Sequence, residues 1–190
     1  TLSTAGTPAY GSAWLYNDAT NSVAHFGYGV GSEGIVGTQD WTLELIVDMD
    51  ATQAQTYPTL VRICGQFGPA FTTDCAALHS SGASPYNGKL AFWAFNFSSS
   101  APLLLGTTNL HGAGKKHVKV TRVGNTWKLW VDDVEEASAT WSGSLNTAAK
   151  YRFISGDPNG ASPAKTYVDE YRETVGFGRT SATTFPYPDA

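Results

Sequence analysis

The clearest alternation of hydrophobic and polar positions lies in residues 117–133, which read HVKVTRVGNTWKLWVDD. Apolar side chains occupy every second position on both sides of a Gly-Asn pair: Val118, Val120, Trp127, Leu129 and Val131. Strict alternation is the period of a strand with one buried face. Gly124 and Asn125 both tolerate positive φ and therefore favour a tight turn. The segment predicts a β-hairpin.

The same alternation recurs along the chain, most clearly in residues 41–49 (WTLELIVDM). Further strands are predicted at 13–16, 23–28, 59–64, 75–78, 89–97, 103–107, 134–141, 151–155 and 165–174. A turn at Asn17-Asp18 is predicted to join the first two. About ten short strands with Gly/Pro-rich turns and no helix indicate a sandwich or jelly roll. We predict an N-terminal arm at 1–12, one all-β domain at 13–190, and a tail from 176 that lies extended across the sandwich.

Composition narrows the class of protein. Of the 190 residues, 42% are hydrophobic but only 15% are charged, against a usual charged share of about 25%. Ser, Thr, Asn and Gly supply the polarity, which is typical of an extracellular or particle-bound β protein. The net charge of −4 argues against a nucleic-acid partner. No apolar run approaches the ~20 residues of a membrane span, so no membrane partner is predicted.

Two cysteines, Cys64 and Cys75, flank a stretch with Gly and Pro. They are either two buried thiols or a disulfide across a β-loop, which would stabilise the fold by about 2–4 kcal/mol. No second Cys/His pair has the spacing of zinc ligands, so no metal site is predicted from them.

Four segments in order resemble the laminin-G-like members of the concanavalin A-like lectin and glucanase superfamily. They are residues 41–45 (WTLEL), 117–124 (HVKVTRVG), 129–132 (LWVD) and 167–172 (YVDEYR). The closing residues 185–188 (FPYP) resemble the tail that follows this pattern in many bacteriophage structural proteins. Asp133 stands where the family usually has Gly, which predicts a different type of turn there.

The resemblance implies a jelly-roll β-sandwich of two antiparallel sheets, one with a concave face. Members of the family bind glycans or proteins, and a minority hydrolyse polysaccharides. The implied function is that of a non-catalytic virion surface protein, a bacteriophage capsid decoration or tail-fibre component. Its partners would be other virion proteins, further copies of itself and cell-surface glycans, at the virion surface or outside the cell. The alternatives are a carbohydrate-binding, lectin-like module of a secreted protein and, third, a glycoside hydrolase.

The acidic residues at 169–173 are the candidates for catalysis in the hydrolase alternative. Glycoside hydrolysis needs two carboxylates about 5–9 Å apart. Strand alternation puts Asp169, Tyr171 and Glu173 on one face and Glu170 and Arg172 on the other. The family's glucanases carry the motif Glu-x-Asp-x-Glu, and Tyr171 stands where the middle acid would be. We therefore predict no catalytic residue and no enzyme.

We predict a structural role for the acids in this segment. Asp169 and Glu170 are expected to pair with Arg172, with Arg179 or with backbone amides. No G-x-S-x-G nucleophile motif is present.

A bound calcium ion is the one cofactor that the resemblance leaves open. Residues 157–160 (DPNG) and the pair Asp48 and Asp50 could hold it. No run has the order of an EF-hand, so an ordinary turn is the preferred interpretation. No other cofactor is predicted.

Aromatic residues give the candidate ligand or interface residues: Trp93, Phe95 and Trp130. If the even-numbered residues of 90–94 point inward, Trp93 and Phe95 point outward, and Trp130 points away from its neighbours at 129 and 131. Outward rings on a sheet can stack on sugars or be covered by a neighbouring subunit. They can also be core, through reversed parity or a covering loop, which is the preferred interpretation.

Overall fold

The computed structural model describes residues 15–18, 24–27, 36–53, 55–64, 76–81, 86–94, 101–145, 151–156 and 162–179. These residues form twelve β-strands in two six-stranded antiparallel sheets, with no helix among them. The prediction of an all-β sandwich is confirmed. The described part of the chain holds no helix long and apolar enough to cross a membrane. The predicted arm at 1–12 and the tail from 180 lie outside the described residues.

The strands divide between the two sheets as follows. Sheet I contains, in spatial order, β1 (Leu15–Asp18), β12 (Lys165–Val175), β3 (Trp41–Met49), β8 (Lys115–Val123), β9 (Thr126–Val131) and β10 (Val134–Thr140). Sheet II contains β2 (Ala24–Gly27), β11 (Tyr151–Ile154), β4 (Thr59–Cys64), β5 (Ala76–Ser81), β6 (Lys89–Ala94) and β7 (Leu104–Asn109).

The predicted hairpin is present as β8 and β9. Val120 pairs with Leu129, and the connecting Gly124 has a φ of 57°, as a two-residue turn with glycine first requires. In the next turn Asp132 and Asp133 both have positive φ, 48° and 63°. That is the geometry of a type I′ turn, which Asp-Gly favours. The different turn type expected from Asp133 is therefore not found.

Three buried rings join the sheets at the centre of the core. Trp41 and Trp127 come from sheet I and Phe92 from sheet II, and none of the three is exposed. The centroid of the Phe92 ring lies 5.9 Å from that of Trp41 and 5.6 Å from that of Trp127. Such aromatic pairs stabilise by about 0.5–1.5 kcal/mol beyond the burial of their area.

The predicted turn at Asn17-Asp18 is wrong. Both residues lie inside β1, where they pair with Thr166 and Lys165 of β12, and β2 belongs to the other sheet. An edge strand accepts short polar residues because one of its sides has no neighbouring strand. Pairing with β12 therefore outweighs the local preference of Asn-Asp for a turn.

A β-bulge in β12 overturns the predicted faces of its acids. Asp169 and Arg172 are three residues apart, but their partners in β3 are only two apart, and Glu170 has a φ of 50°. The extra residue reverses the alternation beyond it. Asp169 and Arg172 consequently lie on the outer face of sheet I, whereas Glu173, which pairs with Leu43, points into the core.

A second bulge, at Glu136 in β10, closes one side of the sandwich. Its carboxylate accepts hydrogen bonds from the backbone N–H of Thr107 (2.9 Å) and of Thr108 (3.2 Å) in β7, and from the Thr108 hydroxyl. The two edge strands belong to different sheets, so this side chain joins the sheets. Gly106 makes room for it, because a Cβ there would lie 2.5 Å from the Glu136 carboxylate.

Candidate functional site

The structure places Trp93 and Trp130 on opposite outer faces of the sandwich. Leu90, Phe92 and Ala94 of β6 lie in the core between the sheets, while Trp93 forms a separate cluster on the outer face of sheet II. Trp130 lies in β9 of sheet I. The alternation of β6 is as predicted, but the two tryptophans cannot line one site. Phe95 lies outside the described residues.

Trp130 points outward and is nevertheless only 8% exposed. The ammonium groups of Lys119 and Lys128 lie 4.9 and 5.6 Å from its ring centroid, within the range of cation–π attraction. Its indole N–H donates to the Thr121 hydroxyl at 3.4 Å. The faces of this ring are therefore occupied by the protein's own cations.

Trp93 belongs to a column of three rings on the outer face of sheet II. The ring of His79 stacks on Trp93 with centroids 5.7 Å apart and planes 18° apart. Tyr57 meets His79 edge-on at 5.7 Å. Trp93 and His79 are buried, at 9% and 7% exposure, whereas Tyr57 is 46% exposed. We call Tyr57, His79 and Trp93 the aromatic column, and Tyr57 is its accessible end.

Strand register explains how the column forms. Across β5 and β6, Ala77 pairs with Trp93 and His79 pairs with Ala91. Each large ring therefore faces an alanine on the neighbouring strand, which leaves room for His79 and Trp93 to lean together. On the other side of β5, Ala77 pairs with Arg62 of β4. The column is thus bordered by a guanidinium group.

His79 supplies the column with a polar group. Burial, followed by the positive charge of Arg62, lowers the pKa of His79 to about 4. The ring is therefore neutral near pH 7, with one nitrogen as donor and the other as acceptor. Its Nδ1 is buried and has no hydrogen-bond partner among the described residues. This atom can exchange a hydrogen bond with a ligand hydroxyl that reaches it.

Sequence reasoning missed His79. The predicted strand stopped at residue 78, and residues 79–88 were interpreted as irregular, whereas β5 continues to Ser81. Alternation with Ala77 was the available signal, because it places His79 on the face opposite Leu78.

The acids of β12 do not form the facing pair that hydrolysis needs. Glu173 points into the core, where its Oε1 accepts from the indole N–H of Trp41 (2.8 Å) and from Arg152 (2.7 Å). Its Oε2 accepts from Arg152 Nε (2.7 Å) and from the Tyr171 hydroxyl (3.1 Å). Asp169 lies on the opposite face and accepts the backbone N–H of Glu170, which is one of the predicted alternatives.

The two arginines expected to pair with Asp169 and Glu170 instead lie against Glu44. Glu44 Oε1 is 2.5 Å from Arg179 Nη1 and 3.6 Å from Arg172 Nη1, and its Oε2 is 3.6 Å from His117 Nε2. Burial raises the pKa of Glu44, but His117, Arg179 and Arg172 together hold it below its usual value. Glu44 is therefore ionised near neutral pH and fixes charges on the outer face of sheet I.

The proposed calcium ligands fall in two places. Asp50 accepts the backbone N–H of Thr52 at 2.9 Å and pairs with Lys165 at 2.9 Å, and these contacts lower its pKa. Residues 157–160 lie outside the described residues. Across the described ranges, no three His, Cys, Asp or Glu side chains are grouped so as to hold a metal ion. Calcium binding stays a prediction.

The state of the cysteines also stays a prediction. Cys64 ends β4, and Cys75 lies outside the described residues.

No protein-family model matches the chain, and a search of curated proteins finds no significant match. Solved structures do match it. Domain 4 of AbnA, a GH43 extracellular arabinanase from Geobacillus stearothermophilus, in complex with arabinotriose, has a TM-score of 0.59 at 17% identity over 95% of this chain and 77% of that chain. The carbohydrate-binding module CBM66 from Bacillus subtilis has a TM-score of 0.53 at 11% identity over 90% and 94%.

Mouse laminin α1 domains LG4-5 have a TM-score of 0.58 at 13% identity over 92% of this chain and 44% of that chain. Identities this low establish the fold alone. The chain has the fold of a concanavalin A-like jelly-roll β-sandwich of two antiparallel sheets, the fold that it shares with laminin G domains.

Proposed function

We propose that the protein is a non-catalytic carbohydrate-binding module whose ligand contacts the aromatic column. The observation that carries the proposal is the exposed ring of Tyr57, continuous with His79 and Trp93 on one sheet face. Aromatic rings offer a large apolar surface for the C–H faces of sugars, and a few convergent polar groups then fix orientation. His79 Nδ1 is such a polar group.

The structural comparisons support the same class of function. CBM66 is a carbohydrate-binding module, and AbnA domain 4 was solved with arabinotriose. Both share the sandwich and not the sequence, so the residues that contact a glycan in this chain have to come from its own surface.

The experiment is a glycan array followed by calorimetry with each glycan that is retained. Tyr57→Ala should lower the affinity about tenfold, which is the size of one lost aromatic contact. Phe177→Ala is the matched control, because Phe177 is an aromatic residue with 60% exposure that follows β12 of sheet I. Unchanged affinity in Tyr57→Ala, or an equal loss of affinity in Phe177→Ala, would show that the glycan does not bind at the aromatic column.

The resemblance to bacteriophage structural proteins adds a location to the proposal. The module would be carried on the virion surface, where its partners are other virion proteins, further copies of itself and cell-surface glycans. Molar mass by light scattering tests this together with the array. A stable oligomer that retains no glycan would favour a structural virion subunit over a glycan-binding module.

A further inference from the structure

Acidic residues are divided unequally between the two sheets. The six strands of sheet II contain no Asp or Glu and three cationic residues, Arg62, Lys89 and Arg152. The strands of sheet I hold eight acids: Asp18, Glu44, Asp48, Glu135, Glu136, Asp169, Glu170 and Glu173. The strands of sheet I also hold seven Lys and Arg residues, so their acids are nearly balanced. The three cations in the strands of sheet II have no acid beside them on those strands, although the net charge of the chain is −4.

Two of the three cations border the aromatic column. Arg152 points inward, where Glu173 of sheet I neutralises it. Arg62 lies two strands from Trp93 through Ala77, a separation of roughly 10 Å at the usual strand spacing. Lys89 is four residues before Trp93 on the same strand and shares its parity, roughly 13 Å away. The rings therefore lie between two positive groups.

The charge of Arg62 acts on the column itself. It is the second cause, after burial, of the lowered pKa of His79. Arg62 is only 5% exposed, and a charge in such surroundings is screened less by water and salt than one on the open surface. A ligand at the column therefore meets positive charge on a sheet whose own strands carry no acid.

We infer that the glycan bound at the column is acidic, bearing a carboxylate or a sulfate ester. The inference rests on the proposed function and specifies its class of ligand. The positive charges of Arg62 and Lys89 both attract an oxyanion. The ring faces of the same sugar chain would contact Tyr57.

The test compares oligogalacturonates, their methyl esters and a sulfated galactan as calorimetric ligands of the whole chain. The methyl ester removes the charge and keeps the sugar ring. We expect one of the two charged probes to bind about tenfold more tightly than the neutral ester at low salt. The difference should shrink as salt is raised, because salt screens the attraction. Whether the carboxylate or the sulfate probe binds identifies the anion.

Charge variants locate the effect. Arg62→Met and Lys89→Gln should each lower the affinity for the charged probe about tenfold and leave that for the neutral ester unchanged. Lys89 is half-buried, so its variant tests the inference even if Arg62→Met does not fold. Lys128→Gln removes one charge from sheet I and is the control, with no change expected.

If neither the oligogalacturonate nor the sulfated galactan binds more tightly than the methyl ester, the inference is overturned and the proposed function stands. Equal losses in Lys128→Gln and Lys89→Gln would also overturn it, because the effect would then follow net charge and not the column. Retention of no glycan of any kind would overturn both proposals.

Discussion

Replacing Glu173 with glutamine should destabilise the fold by about 3–5 kcal/mol, the range found when one partner of a buried ion pair is removed. The Glu173 side chain is 1% exposed and that of its partner Arg152 is fully buried. The carboxylate accepts from Trp41, from Tyr171 and twice from Arg152. An amide keeps one accepting oxygen and turns the other into a donor that faces donors. The guanidinium also loses its countercharge in the core.

Urea unfolding monitored by tryptophan fluorescence measures the effect. The midpoint should fall at unchanged slope, since the compactness of neither state changes. Glu135→Gln is the matched control: Glu135 also lies 2.7 Å from its partner Lys128, but those side chains are 37% and 28% exposed. Exposed pairs contribute about 0–1 kcal/mol.

A double variant separates the loss of the pair from the burial of a lone charge. Arg152→Met combined with Glu173→Gln should cost less than the sum of the two single changes, because no uncompensated charge stays in the core. A cost of Glu173→Gln no larger than that of Glu135→Gln, or single costs that simply add, would contradict the role given to the buried pair.

Two further predictions concern the sheet edge and the column. Glu136→Ala should cost about 1–3 kcal/mol and speed hydrogen exchange of the Thr107 and Thr108 amides, which lose their acceptor; unchanged exchange would contradict the role given to Glu136. Stability should fall as pH is lowered from 6.5 to about 4, because the unfolded chain protonates His79 in that interval and the folded chain does not. The slope from this residue is at most about 1.4 kcal/mol per pH unit. His79→Gln should flatten the curve in that interval, and an unchanged slope would show that another group causes it.

Local alternation was enough to place most strands, because each buries one face. The predicted bounds of β3 and β4 are those of the structure, Trp41–Met49 and Thr59–Cys64. The hairpin of β8 and β9 could also be predicted, because a Gly-Asn turn separates two alternating segments that pair with each other. In these segments the sequence pattern predicts the bounds or the partner of each strand, although β4 has a register shift between Thr59 and Val61 and β8 begins two residues earlier than predicted.

Pairing between strands that are distant along the chain could not be predicted from the sequence. Trp41 pairs with Val175, and no local pattern encodes a partner so far along the chain. The bulge at Glu170 was hidden for a related reason. Glu170 has a positive φ, but glutamate gives no turn signal in a sequence. The alternation was therefore continued past this residue, and it assigned Glu173 to the wrong face.

The candidate site shows the same division between local and tertiary information. The alternation within their strands predicted that Trp93 and Trp130 point outward. Their surroundings come from other strands: His79 of β5 stacks on Trp93, and Lys119 of β8 lies over Trp130. The lack of acids in six separate segments can be seen in the sequence as printed. The sheet order gives this absence its meaning, because it brings those segments side by side and leaves Arg62 and Lys89 on a face whose strands hold no acid. The charge that we expect to select the ligand is therefore a property of the topology and not of any motif.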